Sequence, residues 1–277
     1  MPFASVRTGD LYYEEHGSGP PLVLLHANSH DHHDYDAVVP TLSQRYRTIA
    51  VDWPGSGESA PPDPPSSASA MLMADVLRDF VEALDLGPAM FIGNSVGGYA
   101  AARLALDDPA RVAALVLINS GGFAPVNAAA RAFCRLQGSE RFARRFNHRF
   151  AQWYLRERNA PTLAILERID AARRNPASVA VHAALWRSFP SPLHDLRTRA
   201  ASITCPTLIV WGKRDPVARL SAGELAAATI PGARLVVLNT GHTVFAEAPE
   251  KFLAEVEPFL EGVARDASSN VAVASHG

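Results

Sequence analysis

Short apolar runs recur along the chain, each bounded by glycine, proline or polar residues. They cover residues 22–26, 47–51, 89–94, 112–118, 206–211 and 234–239. Continuous apolar runs of this length are typical of strands that are buried on both faces. The intervening segments show helical spacing instead, as in Leu72, Val76, Leu77, Phe80 and Leu84. The pattern predicts an α/β fold with a mostly parallel sheet flanked by helices.

One of these runs leads into a motif that carries chemistry. Gly93-Asn94-Ser95-Val96-Gly97 matches G-x-S-x-G and stands between an apolar run and an alanine-rich helical pattern. A serine hydroxyl is a weak nucleophile at neutral pH, so it needs presentation on a tight turn and activation by a base. The strand, turn and helix predict that presentation. Ser95 is the candidate nucleophile, although the motif alone is also found in ordinary glycine-rich turns.

Two later strand ends supply the partners that such a serine needs. Asp215 follows the apolar run at 206–211, and His242 follows the run at 234–239. Catalytic groups collect beyond the carboxyl ends of parallel strands. The chain order Ser95, Asp215, His242 is the order expected when the three groups sit at the ends of successive strands of one sheet.

These motifs together resemble the α/β-hydrolase superfamily, from about Leu11 to about Leu260. The resemblance rests on five ordered segments, at residues 22–28, 51–59, 93–98, 211–215 and 241–242. It implies that Ser95 is the nucleophile, that His242 is the general base and then the acid, and that Asp215 orients the imidazole. Related dehalogenases and epoxide hydrolases carry aspartate at the nucleophile position, so Ser95 argues against both activities.

The resemblance also implies an oxyanion hole formed by the backbone N–H groups of Val96 and Asn28. Two positions depart from the usual family pattern. Ala27 stands where glycine is common, which affects the loop that presents Asn28, and Ser56 stands where histidine is common in a segment generally considered structural.

Helical periodicity alone continues from Ile118 to a strand that begins near Cys205, which resembles a helical cap inserted over the active site. We predict a core of residues 1–121 and 197–265, a cap of residues 122–196 and a frayed tail of residues 266–277. Trp186 is one of several cap aromatics available to line a substrate pocket, although most of them are expected to pack within the helical layer. Eleven arginines and four acidic residues lie between Arg131 and Arg174, which suits an anionic substrate or simply a solvated helical surface.

A loop rich in histidine and aspartate follows the first predicted parallel strand. His30-Asp31-His32-His33-Asp34 is similar to the H-x-H-x-D-H pattern of dinuclear metallohydrolases, but Tyr35 stands where the last histidine belongs. We predict no metal site and no cofactor. His30 and His32 are the candidates for substrate contact, and a solvated loop that caps the next helix is the equally weighted alternative.

Composition sets the remaining expectations. The chain has 277 residues, of which 48% are hydrophobic and 19% charged, and its formal net charge is −2. It has neither a run long enough to span a bilayer nor an N-terminal hydrophobic signal region. Two cysteines, Cys134 and Cys205, cannot form a disulfide framework. We predict a cytoplasmic protein with a small-molecule substrate and with no nucleic-acid or membrane partner. A homodimer is compatible with the sequence.

The predicted function is hydrolysis of a small carboxylic ester through an acyl-enzyme intermediate. Hydrolysis of a carbon–carbon bond in a β-diketone or ring-cleavage product is an alternative on the same scaffold, because Asn94-Ser95 and residues 119–122 resemble enzymes of that kind. A ligand-binding protein with little or no turnover is a third hypothesis. A complete nucleophile, base and orienting acid argue against it.

Overall fold

The computed structural model describes residues 2–274, with side chains described for residues 2–266. The described strands form one eight-stranded sheet, which confirms the six predicted strands and the α/β fold. Their bounds are β1 Phe3–Val6, β2 Gly9–His16, β3 Pro21–Leu25, β4 Arg47–Val51, β5 Ala89–Asn94, β6 Val112–Ile118, β7 Thr207–Gly212 and β8 Arg234–Leu238.

The strand order is β1-β2-β4-β3-β5-β6-β7-β8. β1 and β2 add to one edge as antiparallel strands, whereas β4, β3 and β5 to β8 run parallel. These two edge strands are not predicted by the hydrophobic pattern, because they are only partly buried and lack a continuous apolar run. Strand β3 lies between β4 and β5, so the chain adds β4 on one side of β3 and β5 to β8 on the other side. Such a switch point opens a crevice at the carboxyl ends of β3 and β5, where ligands bind in open α/β sheets.

Helices cover both faces of the sheet. Their bounds are α1 Val39–Leu42, α2 Ala70–Ala83, α3 Val96–Asp107, α4 Ala128–Gln137, α5 Glu140–Tyr154, α6 Ala160–Ala172, α7 Pro176–Ser188, α8 Leu220–Thr229, α9 Val244–Glu247 and α10 Pro249–Ala274. Strand β3 shows why the parallel strands are apolar throughout. Val23 and Leu25 pack in the core cluster with α2, α3 and α8, while Leu22 and Leu24 pack in the opposite cluster with α9 and α10.

Four consecutive helices, α4 to α7, lie between β6 and β7, in the interval for which the sequence predicts a cap. Each begins after a residue whose side chain accepts a backbone N–H of the first turn, which stabilises the helix start. These N-cap residues are Asn127, Ser139, Asn159 and Asn175. Helix α5 packs on α4, α6 and α7, and residues of α4, α5 and α7 line the cavity above the crevice. Helices α4 to α7 are called the cap helices below.

The last helix extends beyond the predicted end of the core. Helix α10 continues to Ala274. The flexible tail expected over residues 266–277 stays a prediction. Residues 275–277 lie outside the described residues. Within the described part of the chain, no helix combines the length and the apolar character needed to cross a bilayer.

Candidate active site

Ser95 lies at the sharp turn between β5 and α3. Its backbone has φ 55° and ψ −113°, in a region that L-residues rarely adopt and that costs free energy to hold. The surrounding hydrogen bonds hold this conformation: the Ser95 N–H donates to Ile118 O at 3.0 Å, and Gly121 N–H donates to Ser95 O at 2.9 Å. Gly93 permits the close approach of the helix, since a Cβ there would lie 2.5 Å from Gly97 O.

His242 and Asp215 form a buried hydrogen-bonded pair beside this turn. His242 Nδ1 lies 2.6 Å from Asp215 Oδ2, and the two residues are about 5% exposed. Asn119 Nδ2 donates to the same carboxylate oxygen at 2.6 Å, and Val217 N–H donates to Oδ1 at 2.7 Å. The carboxylate is therefore fixed from two strand ends, β6 and β7, and it fixes the imidazole in turn.

The pKa of His242 lies above its ordinary value of 6.5. Burial lowers this pKa, but the negative charge of Asp215 and its hydrogen bond outweigh burial, and the charges of Glu247 and Asp34 add to the rise. A histidine that gains protons readily is suited to act as a general base and to return the proton as an acid.

The loop that carries His242 is held in place by residues to which no role is assigned from the sequence. Asn94 Nδ2 donates to His242 O at 3.0 Å, and His242 N–H donates to Tyr154 O, at the end of cap helix α5, at 3.1 Å. The buried carboxylate of Glu247 accepts four backbone N–H groups. They belong to Gly241, Arg156, Glu157 and Thr243, at 2.8, 2.9, 3.1 and 3.2 Å. Glu247 thus joins the loop that carries His242 to the segment after α5, and no residue pattern near Glu247 in the sequence indicates this role.

Ser95 and His242 line one cavity of about 180 Å³ between the sheet and the cap. Phe133, Phe150 and Trp186 from the cap helices make much of its apolar wall, and none of its lining residues is Asp, Glu, Lys or Arg. The hydrogen bonds of the described residues include none between Ser95 Oγ and His242 Nε2. Catalytic hydrogen bonds commonly tighten only when substrate binds.

Val96 and Asn28 also line this cavity, at the carboxyl ends of β5 and β3. Neither backbone N–H donates to another group within residues 2–266. Free N–H groups can bind a developing oxyanion, and the oxyanion hole expected at Val96 and Asn28 stays a prediction. Ala27, in place of the usual glycine, is accommodated as a buried residue whose carbonyl accepts His30 N–H at 3.3 Å.

The structure separates the two histidines that the sequence analysis proposed for substrate contact. His30 lines the cavity, and its Nε2 lies 2.7 Å from the hydroxyl of Tyr154, while Nδ1 bonds Asp34. His32 lies outside the described cavities, because its backbone N–H and Nδ1 both bond the buried carboxylate of Asp52, at 2.7 and 2.9 Å.

A second, polar cavity of about 300 Å³ adjoins the first. Asn28, His30, Asn147 and His182 line both cavities. Among the eleven cap arginines of the charged segment, only Arg168 and Arg173 are partly buried and line the polar cavity, and the other nine are exposed. Arg168 is paired with Asp31 and Asp34, and Arg173 with Asp170. These pairs leave little positive charge available for an anionic ligand.

Cys134 lines the cavity that Ser95 and His242 share, and burial raises the pKa of its thiol to about 11. The thiol is therefore protonated at neutral pH and a poor nucleophile. Among the described residues, one group has the spacing for a metal ion, formed by Glu14, His32 and His33. Its three residues line neither of the two cavities.

Comparison with known proteins places the chain among hydrolases. It is 30% identical to a 2-hydroxy-6-oxononadienedioate/2-hydroxy-6-oxononatrienedioate hydrolase of Cupriavidus pinatubonensis, over 93% of this chain and 94% of that protein. It is also 30% identical to a pimeloyl-[acyl-carrier protein] methyl ester esterase of Nitrosomonas europaea, over 88% of this chain and 97% of that protein.

Solved structures show the same likeness. A thermophilic esterase from Thermogutta terrifontis superimposes with a TM-score of 0.81 at 28% identity, covering 95% of this chain and 98% of that one. The model of the alpha/beta hydrolase family matches residues 22–256. With this match and the geometry of its sheet, the chain belongs to the alpha/beta hydrolase family of enzymes.

Proposed function

We propose that this enzyme is a serine hydrolase that cleaves a small, uncharged carboxylic ester. The observation that carries the proposal is the pairing of His242 with Asp215 on the wall of the cavity that also holds Ser95. A positioned base next to a serine on a strained turn is the arrangement that activates a hydroxyl for attack on a carbonyl.

In the first half of the reaction, Ser95 Oγ bonds to the acyl carbon while His242 Nε2 takes the hydroxyl proton. The N–H groups of Val96 and Asn28 bind the oxyanion of the tetrahedral intermediate. The bond to the alcohol oxygen then breaks, and His242 gives that oxygen its proton. Asp215 stays ionised and stabilises the imidazolium.

In the second half, water attacks the acyl carbon and His242 takes a proton from it. The bond between the acyl carbon and Ser95 Oγ breaks, and the serine recovers the proton from His242. The acid leaves, and the enzyme returns to its starting state.

The cavity supports an uncharged acyl group. Its lining is mainly aromatic, aliphatic and glycine residues with a few amides, hydroxyls and histidines, and it contains no carboxylate or cationic side chain other than histidine. A volume of about 180 Å³ is small beside the roughly 300–1,000 Å³ of pockets that hold drug-sized ligands. Short acyl chains therefore fit better than long ones.

The test combines a fluorophosphonate probe with hydrolysis of p-nitrophenyl esters of increasing acyl length. Wild-type protein should be labelled and should prefer short esters, and Ser95→Ala should lose both labelling and turnover. Ser221→Ala, which changes an exposed serine, is the control and should behave as wild type. Labelling and turnover that survive in Ser95→Ala would contradict the proposal.

Carbon–carbon bond hydrolysis is a second candidate, favoured by the 30% identity to the Cupriavidus hydrolase. The same serine would attack a ketone, and the leaving carbon would receive the proton from His242. Rapid labelling of Ser95 with negligible ester turnover, together with cleavage of a β-diketone that Ser95→Ala cannot perform, would favour this reaction over ester hydrolysis.

A further inference from the structure

Cap helix α7 presents two buried nitrogen atoms without partners on the wall of the catalytic cavity. His182 is 4% exposed and Trp186 is 7% exposed, and both line this cavity. His182 Nε2 and Trp186 Nε1 have no hydrogen-bond partner among the described residues. Residues four apart lie on the same face of a helix, so the two side chains are neighbours.

The contacts of His182 Nδ1 favour one tautomer of the ring. Ser29 Oγ bonds His182 Nδ1 and also accepts Asn147 Nδ2 at 3.3 Å. We assign the hydroxyl proton of Ser29 to the bond with His182 Nδ1, because Ser29 Oγ already accepts the amide of Asn147. In that tautomer the ring proton of neutral His182 is on Nε2, the atom without a partner.

His182 stays neutral at physiological pH, because burial and, to a smaller extent, the charge of His30 lower its pKa to about 3. The Trp186 ring packs against three phenylalanine rings in edge-to-face contacts. Its ring centroid lies 5.4 Å from Phe133, 5.7 Å from Phe150 and 5.2 Å from Phe189. Its N–H direction is therefore set by packing before any ligand binds.

A buried indole N–H normally finds a hydrogen-bond partner, because leaving a donor desolvated and unpaired is costly. Two such donors side by side mark a place where a ligand acceptor belongs. Asn28 Oδ1 and His194 Nε2 also lack partners on this wall. Asn28 Oδ1 is an acceptor, so it cannot donate a hydrogen bond to a substrate oxygen. His194 Nε2 lies against the backbone of Gly121.

We propose that His182 and Trp186 bind a second oxygen of the substrate, an uncharged carbonyl oxygen on the acyl part, and so select oxo-acyl substrates over plain alkyl ones. The inference rests on the proposed hydrolysis at Ser95. An uncharged oxygen fits because both donors are neutral and the cavity has no lysine or arginine to balance a carboxylate. His182 also faces the adjoining polar cavity, so this end of the site suits a polar group.

Two matched ester pairs test the inference: p-nitrophenyl pentanoate with 4-oxopentanoate, and p-nitrophenyl hexanoate with 5-oxohexanoate. After subtraction of uncatalysed hydrolysis, wild-type kcat/KM in at least one pair should be at least about tenfold higher for the oxo ester than for the plain ester. The plain ester has no oxygen for the two N–H donors, so its binding leaves them unpaired. Trp186→Phe and His182→Leu should each lower this ratio about tenfold. Trp153→Phe is the control, since Trp153 is an exposed cap residue, and should keep the wild-type ratio.

Binding provides a readout that does not depend on turnover. Calorimetry on Ser95→Ala should show about tenfold tighter binding of N-methyl-4-oxopentanamide or its 5-oxohexanamide homologue than of the matching plain amide. Equal kcat/KM within both ester pairs, together with equal amide affinities, would overturn the inference. In that case fluorophosphonate labelling of Ser95 would still support the proposed hydrolytic function. Absence of labelling together with tighter oxo-amide binding would refute the hydrolytic function and support the oxygen site.

Discussion

Glu247→Gln tests whether one buried carboxylate holds the catalytic loop to the cap. In Glu247, Oε2 accepts the N–H groups of Gly241, Arg156 and Glu157, and Oε1 accepts that of Thr243. Glutamine keeps one acceptor oxygen but turns an NH₂ group toward the remaining N–H. Three charge-assisted hydrogen bonds become neutral ones, and the fourth is lost.

The expected loss of stability follows from these four contacts. A hydrogen bond to a charged group contributes about 1.5–3 kcal/mol and a neutral one about 0.5–1.5 kcal/mol. Burial raises the pKa of Glu247, which shows that keeping its charge in the interior costs part of this gain. The net destabilisation should be about 2–4 kcal/mol, which lowers Tm by roughly 3–7 °C in a chain of this size.

The same substitution should change the pH dependence of the reaction. Glu247 is one of the charges that raise the pKa of His242. Its removal lowers that pKa, so the acid limb of the kcat/KM profile should move to lower pH because His242 is a base only when unprotonated.

Calorimetric melting and a kcat/KM profile for a p-nitrophenyl ester measure the two effects on the same preparations. Glu250→Gln is the matched control, since it removes one negative charge three residues away at an exposed position. If Glu247→Gln and Glu250→Gln melted at the same temperature and shared the wild-type acid limb, the role assigned to Glu247 would be wrong.

Two further predictions concern the nucleophile turn and the histidine. Gly97→Ala should destabilise the protein by about 1–3 kcal/mol in urea unfolding, because its Cβ would overlap the carbonyl oxygen of Leu25. Gly262→Ala, where nothing lies within 4 Å of the added carbon, should instead be neutral or slightly stabilising, and equal midpoints for the two variants would refute the packing argument. The pKa of His242 is raised above 6.5 in the folded protein. The stability that its pairing with Asp215 contributes is therefore fully present below pH 6.5 and is lost as the pH rises through the higher folded pKa. Activity rises over the same pH interval. Melting curves of wild type and His242→Gln across this range should converge as pH increases, and a constant difference would contradict the assignment.

The order of strands and helices could be predicted from the sequence because burial imposes local periods. An apolar run such as Leu22–Leu25 belongs to a strand covered on both faces, and the structure places alternate residues of this run in opposite core clusters. The same local logic indicated Ser95, Asp215 and His242, since each follows a recognisable strand end.

The partners of those residues were decided by tertiary packing. His30 and His32 are two residues apart in one loop, yet their partners differ. His30 bonds the hydroxyl of Tyr154 on the cavity wall, whereas His32 bonds the carboxylate of Asp52 outside the cavity. The packing of the cap helices on the sheet likewise decides two other features. It brings Glu247 to the backbone N–H groups that it binds, and it leaves the N–H donors of His182 and Trp186 without partners. Hydrogen bonds between residues distant in sequence follow from three-dimensional placement, which local periodicity does not encode. By itself the sequence determined the α/β framework and the candidate catalytic groups, while the tertiary structure decided what holds those groups and what the cavity wall offers a substrate.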